Sequence, residues 1–158
     1  MDKVKLTWYI ISEQNLDNDN PVLDSTKAIY MSVCATWNNN DRTWKIDPDR
    51  HPLYIGEVHD RTVRERLKEH LNDDVYDCMN KSCNETILSK VAEIEPITQA
   101  SATKDLTTDI ECCLICKTQP ECNTQCVQYY EGRDIEILNE RNKLPLKDRY
   151  VCHNGDKS

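Results

Sequence analysis

Residues 53–71 read LYIGEVHDRTVRERLKEHL, and the spacing of the apolar side chains changes half-way along. Leu53 to Val58 is a short apolar run, which predicts a strand stopped by His59 and Asp60. Thr62 and Glu65 then form a T-x-x-E capping box, in which each side chain can satisfy an orphan backbone N–H. Val63, Leu67 and Leu71 recur every four residues and give the following helix one apolar face. A strand feeding an amphipathic helix in this way makes the chain a mixed α and β protein.

Upstream, Val4 to Ile11 and Lys27 to Thr36 are rich in β-branched and aromatic residues and predict two more strands. Gln14 to Thr26 clusters Asn, Asp and Pro and reads as turn. Trp37 to Pro52 is polar and reads as a loop, with a short hairpin near Trp44 and Ile46. Downstream, Val75 to Thr86 predicts a short helix with turns. Ile87 to Ile94 predicts a strand ending near Pro96, and Ser101 to Thr118 a helix ended by Pro120. Ile135 to Arg141 is expected to form a last helix, and the final HNGDKS to fray. The order predicts an α+β fold, a small antiparallel β-sheet flanked by helices.

The length of 158 residues suits a single domain, 1–158, that buries roughly 70% of its unfolded surface. With 20 basic and 28 acidic side chains the net charge is -8, which argues against a generally basic nucleic-acid binder. No stretch approaches the ~20 apolar residues of a membrane span, so no membrane partner is expected. The N-terminal MDKVKLTWYII is too short in apolar length for a signal peptide. Nine cysteines, an odd count without a secretory signal, predict mostly free thiols in a reducing, intracellular compartment, cytoplasmic or nuclear. The single sequon at Asn84 does not alter that expectation.

Four groups of residues carry chemistry. Tyr30 and Tyr54 sit inside consecutive strands, where a phenol by itself reads as core filling with a hydrogen-bonded hydroxyl. Arg61, Arg64, Arg66, Lys68 and His70 lie on or beside the first helix; Arg66 and His70 share a face, and a solvated face balanced by Glu65 and Glu69 is the plain alternative. Glu111 is flanked by an apolar run and needs a partner if buried, either a cation or donors, or it closes a capping box with Thr108. Cys113, Cys116, Cys122 and Cys126 offer four thiolates to Zn²⁺, but the first pair lies on a helix, so zinc at this cluster is disfavoured against small apolar packing.

Taken together these residues resemble the GIY-YIG nuclease family. Ala28-Ile29-Tyr30 and Tyr54-Ile55-Gly56 are similar to its paired tripeptides, and Arg66-Leu67-x-x-His70 to its arginine-bearing helix. The segment from Glu111 through Leu114, Ile115, Lys117 and Pro120 to Asn123 resembles its E-x-x-L-I-x-K-x-x-P-x-x-N signature. The resemblance covers a core at 27–124, with an N-terminal strand and loop extension at 1–26 and a C-terminal extension at 125–158. Three departures stand out: Ala28 replaces the first glycine, residues 37–52 look like an insertion, and the helix arginine is displaced, which makes Arg64 a rival to Arg66.

The resemblance implies a divalent-metal-dependent endonuclease that hydrolyses DNA phosphodiester bonds. Glu111 would hold one Mg²⁺ or Mn²⁺, and Arg66 would bind the scissile phosphate with its planar fork of donors. Tyr30 would orient or activate the attacking water, Tyr54 would position the phosphate or share that role, and His70 would orient water or phosphate. Arg64, Lys68 and Asn123 are the substrate-binding candidates, with Asn123 expected to pin the backbone rather than perform chemistry. The segment from Arg61 to His70 holds four basic residues against two acids, and that from Arg133 to Arg149 five against four, so weak nonspecific DNA binding is expected. Specificity is then left to an accessory partner, a homodimer or the loop 37–52. The competing reading is a non-catalytic nucleic-acid or protein interaction module on the same fold; a zinc-stabilised scaffold is a third.

Overall fold

The structure, a computed structural model, describes residues 1–11, 20–99 and 101–158. Residues 14–19 of the turn expected from Gln14 to Thr26 lie outside these residues, and within the remainder Pro21–Asp24 forms one 3-10 turn capped by Asn20. Among the described residues seven strands and three helices follow the order β1 (Asp2–Ile11), β2 (Lys27–Asn38), β3 (Thr43–Lys45), β4 (Tyr54–His59), α1 (Val63–His70), α2 (Asp74–Ser82), β5 (Thr86–Pro96), α3 (Lys104–Thr118), β6 (Ile135–Glu140) and β7 (Arg149–Cys152). All strands join one sheet, β3-β2-β5-β1-β6-β7, with β4 beside the first half of β2 and β3 beside its end. The expected hairpin is formed, with Trp37 opposite Trp44.

The sheet is sandwiched because β2 is apolar on both faces. Ile29, Met31, Val33 and Ala35 join Leu106, Ile110, Cys113 and Leu114 of α3 in one core. Ala28 and Tyr30 point the other way, onto Val63 and Leu67 of α1 and Val58 of β4. Met79 of α2 fills a third, smaller cluster with Leu53 and Ile87. Helices α1 and α3 begin on hydroxyl caps: Thr62 accepts from Glu65 N–H, and Thr103 from Leu106 N–H. Thr108 is therefore not the cap of α3, and the capping box considered for Glu111 is not made.

Two expectations about the fold are corrected. The sheet is mixed rather than antiparallel, because β6 lies parallel to β1, Asp2 opposite Ile135. The segment expected as a last helix is that strand: Ile135, Ile137 and Asn139 alternate inward, and Asn139 accepts from the buried Trp8 indole N–H at 3.1 Å. Period two wins there because Trp8 and Tyr130 supply a core for alternate side chains. Residues 125–158 thus complete the sheet. Their β6–β7 loop is tied down by the buried Lys90 ammonium, which donates to the carbonyls of Asn142 and Leu144 at 2.5 and 2.8 Å.

The cysteine expectation is also corrected. Eight of the nine form disulfides, Cys34–Cys83, Cys78–Cys122, Cys112–Cys126 and Cys113–Cys152, and among the described residues Cys116 alone is free and buried. The odd count therefore came from one core thiol. Cys112 and Cys113 are neighbours on α3 and point to different sides, one to the following loop and the other to β7. No helix among the described residues is long and apolar enough to cross a membrane.

Candidate active site

The site is built on the free edge of β4. The chain leaving α3 runs along the start of this strand: Glu121 and Cys122 N–H donate to the carbonyls of Pro52 and Leu53 at 3.0 and 2.9 Å. Asn123 then mimics a peptide unit, its Oδ1 accepting from Ile55 N–H at 2.9 Å and its Nδ2 donating to Ile55 O at 2.8 Å. Past this point the edge borders a cleft of about 680 Å³.

Alternation along β4 brings both faces of the sheet to that cleft. Tyr54 and Gly56 face the α1 side with Tyr30, whereas Ile55 and Glu57 face α3. Gly56 sits opposite Tyr30, and a Cβ there would collide with the phenol ring. The missing side chain is what lets Tyr30 reach over the strand into a cleft shared with Glu111 of α3.

Tyr30, Tyr54, Arg66, Glu111 and Asn123 all line the cleft. His70 stands behind it, buried, with Nε2 at 2.7 Å from the Tyr30 hydroxyl and Nδ1 at 2.8 Å from Asp73 Oδ2. Arg64 points elsewhere, toward Asp24 at 3.4 Å, so Arg66 is the helix arginine at the cleft. Lys68 is exposed on α1 and is not part of the lining. Arg66 also pairs with Glu69 at 2.9 Å, and Glu69 receives Arg61 as well.

Burial dominates the electrostatics. It holds the Tyr30 phenol well above its ordinary range, reinforced by Tyr54 and opposed by the Arg66 guanidinium. Tyr54 is raised by burial and then by the Glu111 charge. Burial, and secondly Glu57, push Glu111 up to about 8, again against Arg66. Burial lowers His70, helped by Arg66 and opposed by Asp73. At neutral pH these shifts favour a neutral phenol beside a neutral imidazole.

No protein-family model matches this chain. No curated protein or solved structure matches it either. What the cleft can do chemically follows from its own side chains.

Two residues here were not singled out from the sequence. Glu57 follows Gly56 directly; Thr108 donates to its Oε1 at 3.0 Å, while its Oε2 is buried with no hydrogen-bond partner among the described residues. Asp73 sits three residues after His70 and caps α2, and an acidic residue ahead of a helix was the available signal. Glu57 and Glu111 are hard oxygen donors beside one cleft, which suits Mg²⁺ or Mn²⁺ held by one or two carboxylates with water and phosphate oxygens completing the shell. Among the described residues no group of three or more His, Cys, Asp or Glu side chains converges as a protein-only metal cage. Of the four cysteines considered for zinc, Cys113, Cys122 and Cys126 are each oxidised with a different partner, so they are not thiolates.

Proposed function

We propose that the chain is a divalent-metal-dependent endonuclease that hydrolyses DNA phosphodiester bonds on the GIY-YIG plan. The observation that carries this reading is the convergence of Tyr30 from β2, Tyr54 from β4, Arg66 from α1 and Glu111 from α3 on one cleft. These side chains match the demands of in-line displacement at phosphorus, where charge develops on the phosphoryl oxygens and donors must be placed beforehand. Mg²⁺ or Mn²⁺, held by Glu111 with Glu57 beside it, would neutralise a phosphate oxygen and stabilise the leaving oxygen.

Arg66 presents its planar donors to the scissile phosphate. Tyr54 positions that phosphate from the cleft wall. Tyr30 holds the attacking water at its hydroxyl. Because burial keeps the phenol protonated, Tyr30 does not act as a free phenolate; it takes a water proton only as its own proton leaves for His70 Nε2, 2.7 Å away. Asn123 keeps β4, and so Tyr54 and Gly56, in place.

Charge supports a second reading, an interaction module. Among the described residues the cleft is lined by Glu57, Asp74, Glu111 and Glu121 against one cation, Arg66. Arg61 and Arg66 are already engaged with Glu69, and Arg64 with Asp24. A DNA partner would therefore be held weakly until metal binds, with a homodimer or an accessory protein adding grip. The four disulfides support an oxidising setting for the folded chain.

The test is cleavage of plasmid and branched DNA with Mg²⁺ or Mn²⁺, beside chelator, Glu111→Ala and Arg66→Ala. Cutting by the parent protein and its loss in both folded variants is the expected result. A folded parent protein that cuts nothing, and whose melting temperature no divalent ion moves, would leave the interaction module.

A further inference from the structure

We propose that Asp73 is a positioning residue for the Tyr30–His70 pair, fixing the imidazole tautomer that can accept the Tyr30 proton and neutralising the imidazolium that results. The proposal rests on the nuclease reading above. Its geometric basis is a continuous chain of three groups: Tyr30 Oη at 2.7 Å from His70 Nε2, and His70 Nδ1 at 2.8 Å from Asp73 Oδ2.

An ionised carboxylate only accepts hydrogen bonds. Facing Asp73, Nδ1 must carry the hydrogen, and the neutral ring then turns the lone pair of Nε2 toward Tyr30. The phenol is thereby made the donor, the direction the relay requires. Asp73 is itself held, because its other oxygen accepts from Val75 N–H at 3.1 Å and Tyr76 N–H at 3.2 Å as the cap of α2. One oxygen starts a helix and the other sets a tautomer.

The surroundings of His70 make the anion matter. Tyr30 comes from β2 and Tyr54 from β4, with ring centroids 5.6 and 5.1 Å from the imidazole. Arg66 lies on α1 and Arg61 just before it, and both cations oppose a charged ring. Tyr76 of α2 closes the small void beside it. Asp73 is the counter-charge for the imidazolium. In the step itself the water oxygen bonds to phosphorus as the bond to the leaving oxygen breaks. One water proton passes to Tyr30 Oη, the Tyr30 proton passes to His70 Nε2, the leaving alkoxide takes a proton from solvent, and His70 later returns its own to solvent.

Asp73→Asn tests this with little change of shape. Asn caps helices as well as Asp does, so its Oδ1 can still serve Val75 and Tyr76, while its NH₂ faces Nδ1 and selects the Nε2–H tautomer. Asp73→Ser also keeps a cap but removes the partner of His70. Imidazole ¹H–¹⁵N spectra of the full chain should show Nδ1–H for His70 in the parent protein and Nε2–H in Asp73→Asn. With plasmid DNA and Mn²⁺, kcat should fall about a hundredfold in Asp73→Asn, with KM and melting temperature near the parent values. In Asp73→Ser the acid limb of the kcat profile should move to lower pH, because the carboxylate that favours the imidazolium is gone. A purely structural role would lower stability and leave that limb in place. An Nε2–H tautomer in the parent protein, or parent-like kcat and pH profile in Asp73→Asn, overturns the proposal. A parent protein inactive on every substrate strikes the nuclease reading instead, and the tautomer spectra still decide whether Asp73 orients the ring.

Discussion

The ring of Tyr30 lies across Gly56, its cross-strand partner, so closely that a single added methyl at residue 56 would overlap it. Gly56→Ala must therefore push the phenol out of the cleft and away from His70. The expected outcome is a loss of about a hundredfold or more in DNA cleavage and about 1–3 kcal/mol of stability from overpacking. Tyr30→Phe is the control, since it keeps the packing and removes the hydroxyl. Cleavage assays and thermal melts on both variants check the pair; full activity in Gly56→Ala would mean that the Tyr30 hydroxyl is not needed where it stands.

Asn123 offers a separate prediction. Its amide satisfies both Ile55 backbone groups on the free edge of β4. Asn123→Ala leaves a donor and an acceptor without that partner, at about 1–3 kcal/mol. Urea unfolding should show the loss, and amide exchange at Ile55 should speed up more than exchange at Met31 on the neighbouring strand.

The raised Glu111 carboxyl predicts a pH signature in the metal-free protein. With its folded value pushed up to about 8 from an ordinary 4.5, the folded state keeps a proton that the unfolded state has released. Stability from this group is then full below about pH 4.5 and declines as pH rises toward 8. In chelator, melting curves of the parent protein should fall behind those of Glu111→Gln as pH is raised from 6 to 8. Adding Mg²⁺ or Mn²⁺ at pH 8 should raise the parent curve and leave the variant unmoved. Parallel curves for the two proteins over that range would contradict the assignment.

The disulfide set is directly countable. Alkylation in denaturant without reductant should label one cysteine per chain, Cys116, and all nine after reduction. Peptide mapping should recover Cys113 linked to Cys152. Nine labelled thiols without reductant, in protein isolated under non-reducing conditions, would refute the pairing.

Local signals were legible in the sequence and distant ones were not. The strand and helix of residues 53–71 carry their own period and cap and form within a residue or two of where they are read. The later helix ends at Thr118 as read but starts at Lys104 rather than Ser101, on a Thr103 cap not singled out from the sequence. Ile135 and Leu138 are three apart and mimic a helical face; only the inward pull of Trp8 on Asn139, far away in the chain, reveals β6. The pairing of cysteines is distant for the same reason. At the site, Arg66 separates from Arg64 once α1 has a neighbour, because Asp24 on the preceding 3-10 turn takes Arg64. Asp73 could be read as a helix cap, yet its second oxygen has meaning only when His70 is folded above it.

The placement of β1 bears on how the chain comes to be made. It precedes the other six strands in sequence, yet it lies inside the sheet between β5 and β6, with Val4 opposite Pro96 and Asp2 opposite Ile135. A nascent chain emerging from a ribosome holds Val4, Leu6 and Trp8 without either neighbour until β5 has left the exit tunnel. The second neighbour, β6, follows later still, after α3. Assembly therefore waits on closure of long loops, which makes folding slow for its size and leaves an apolar strand open to wrong partners meanwhile.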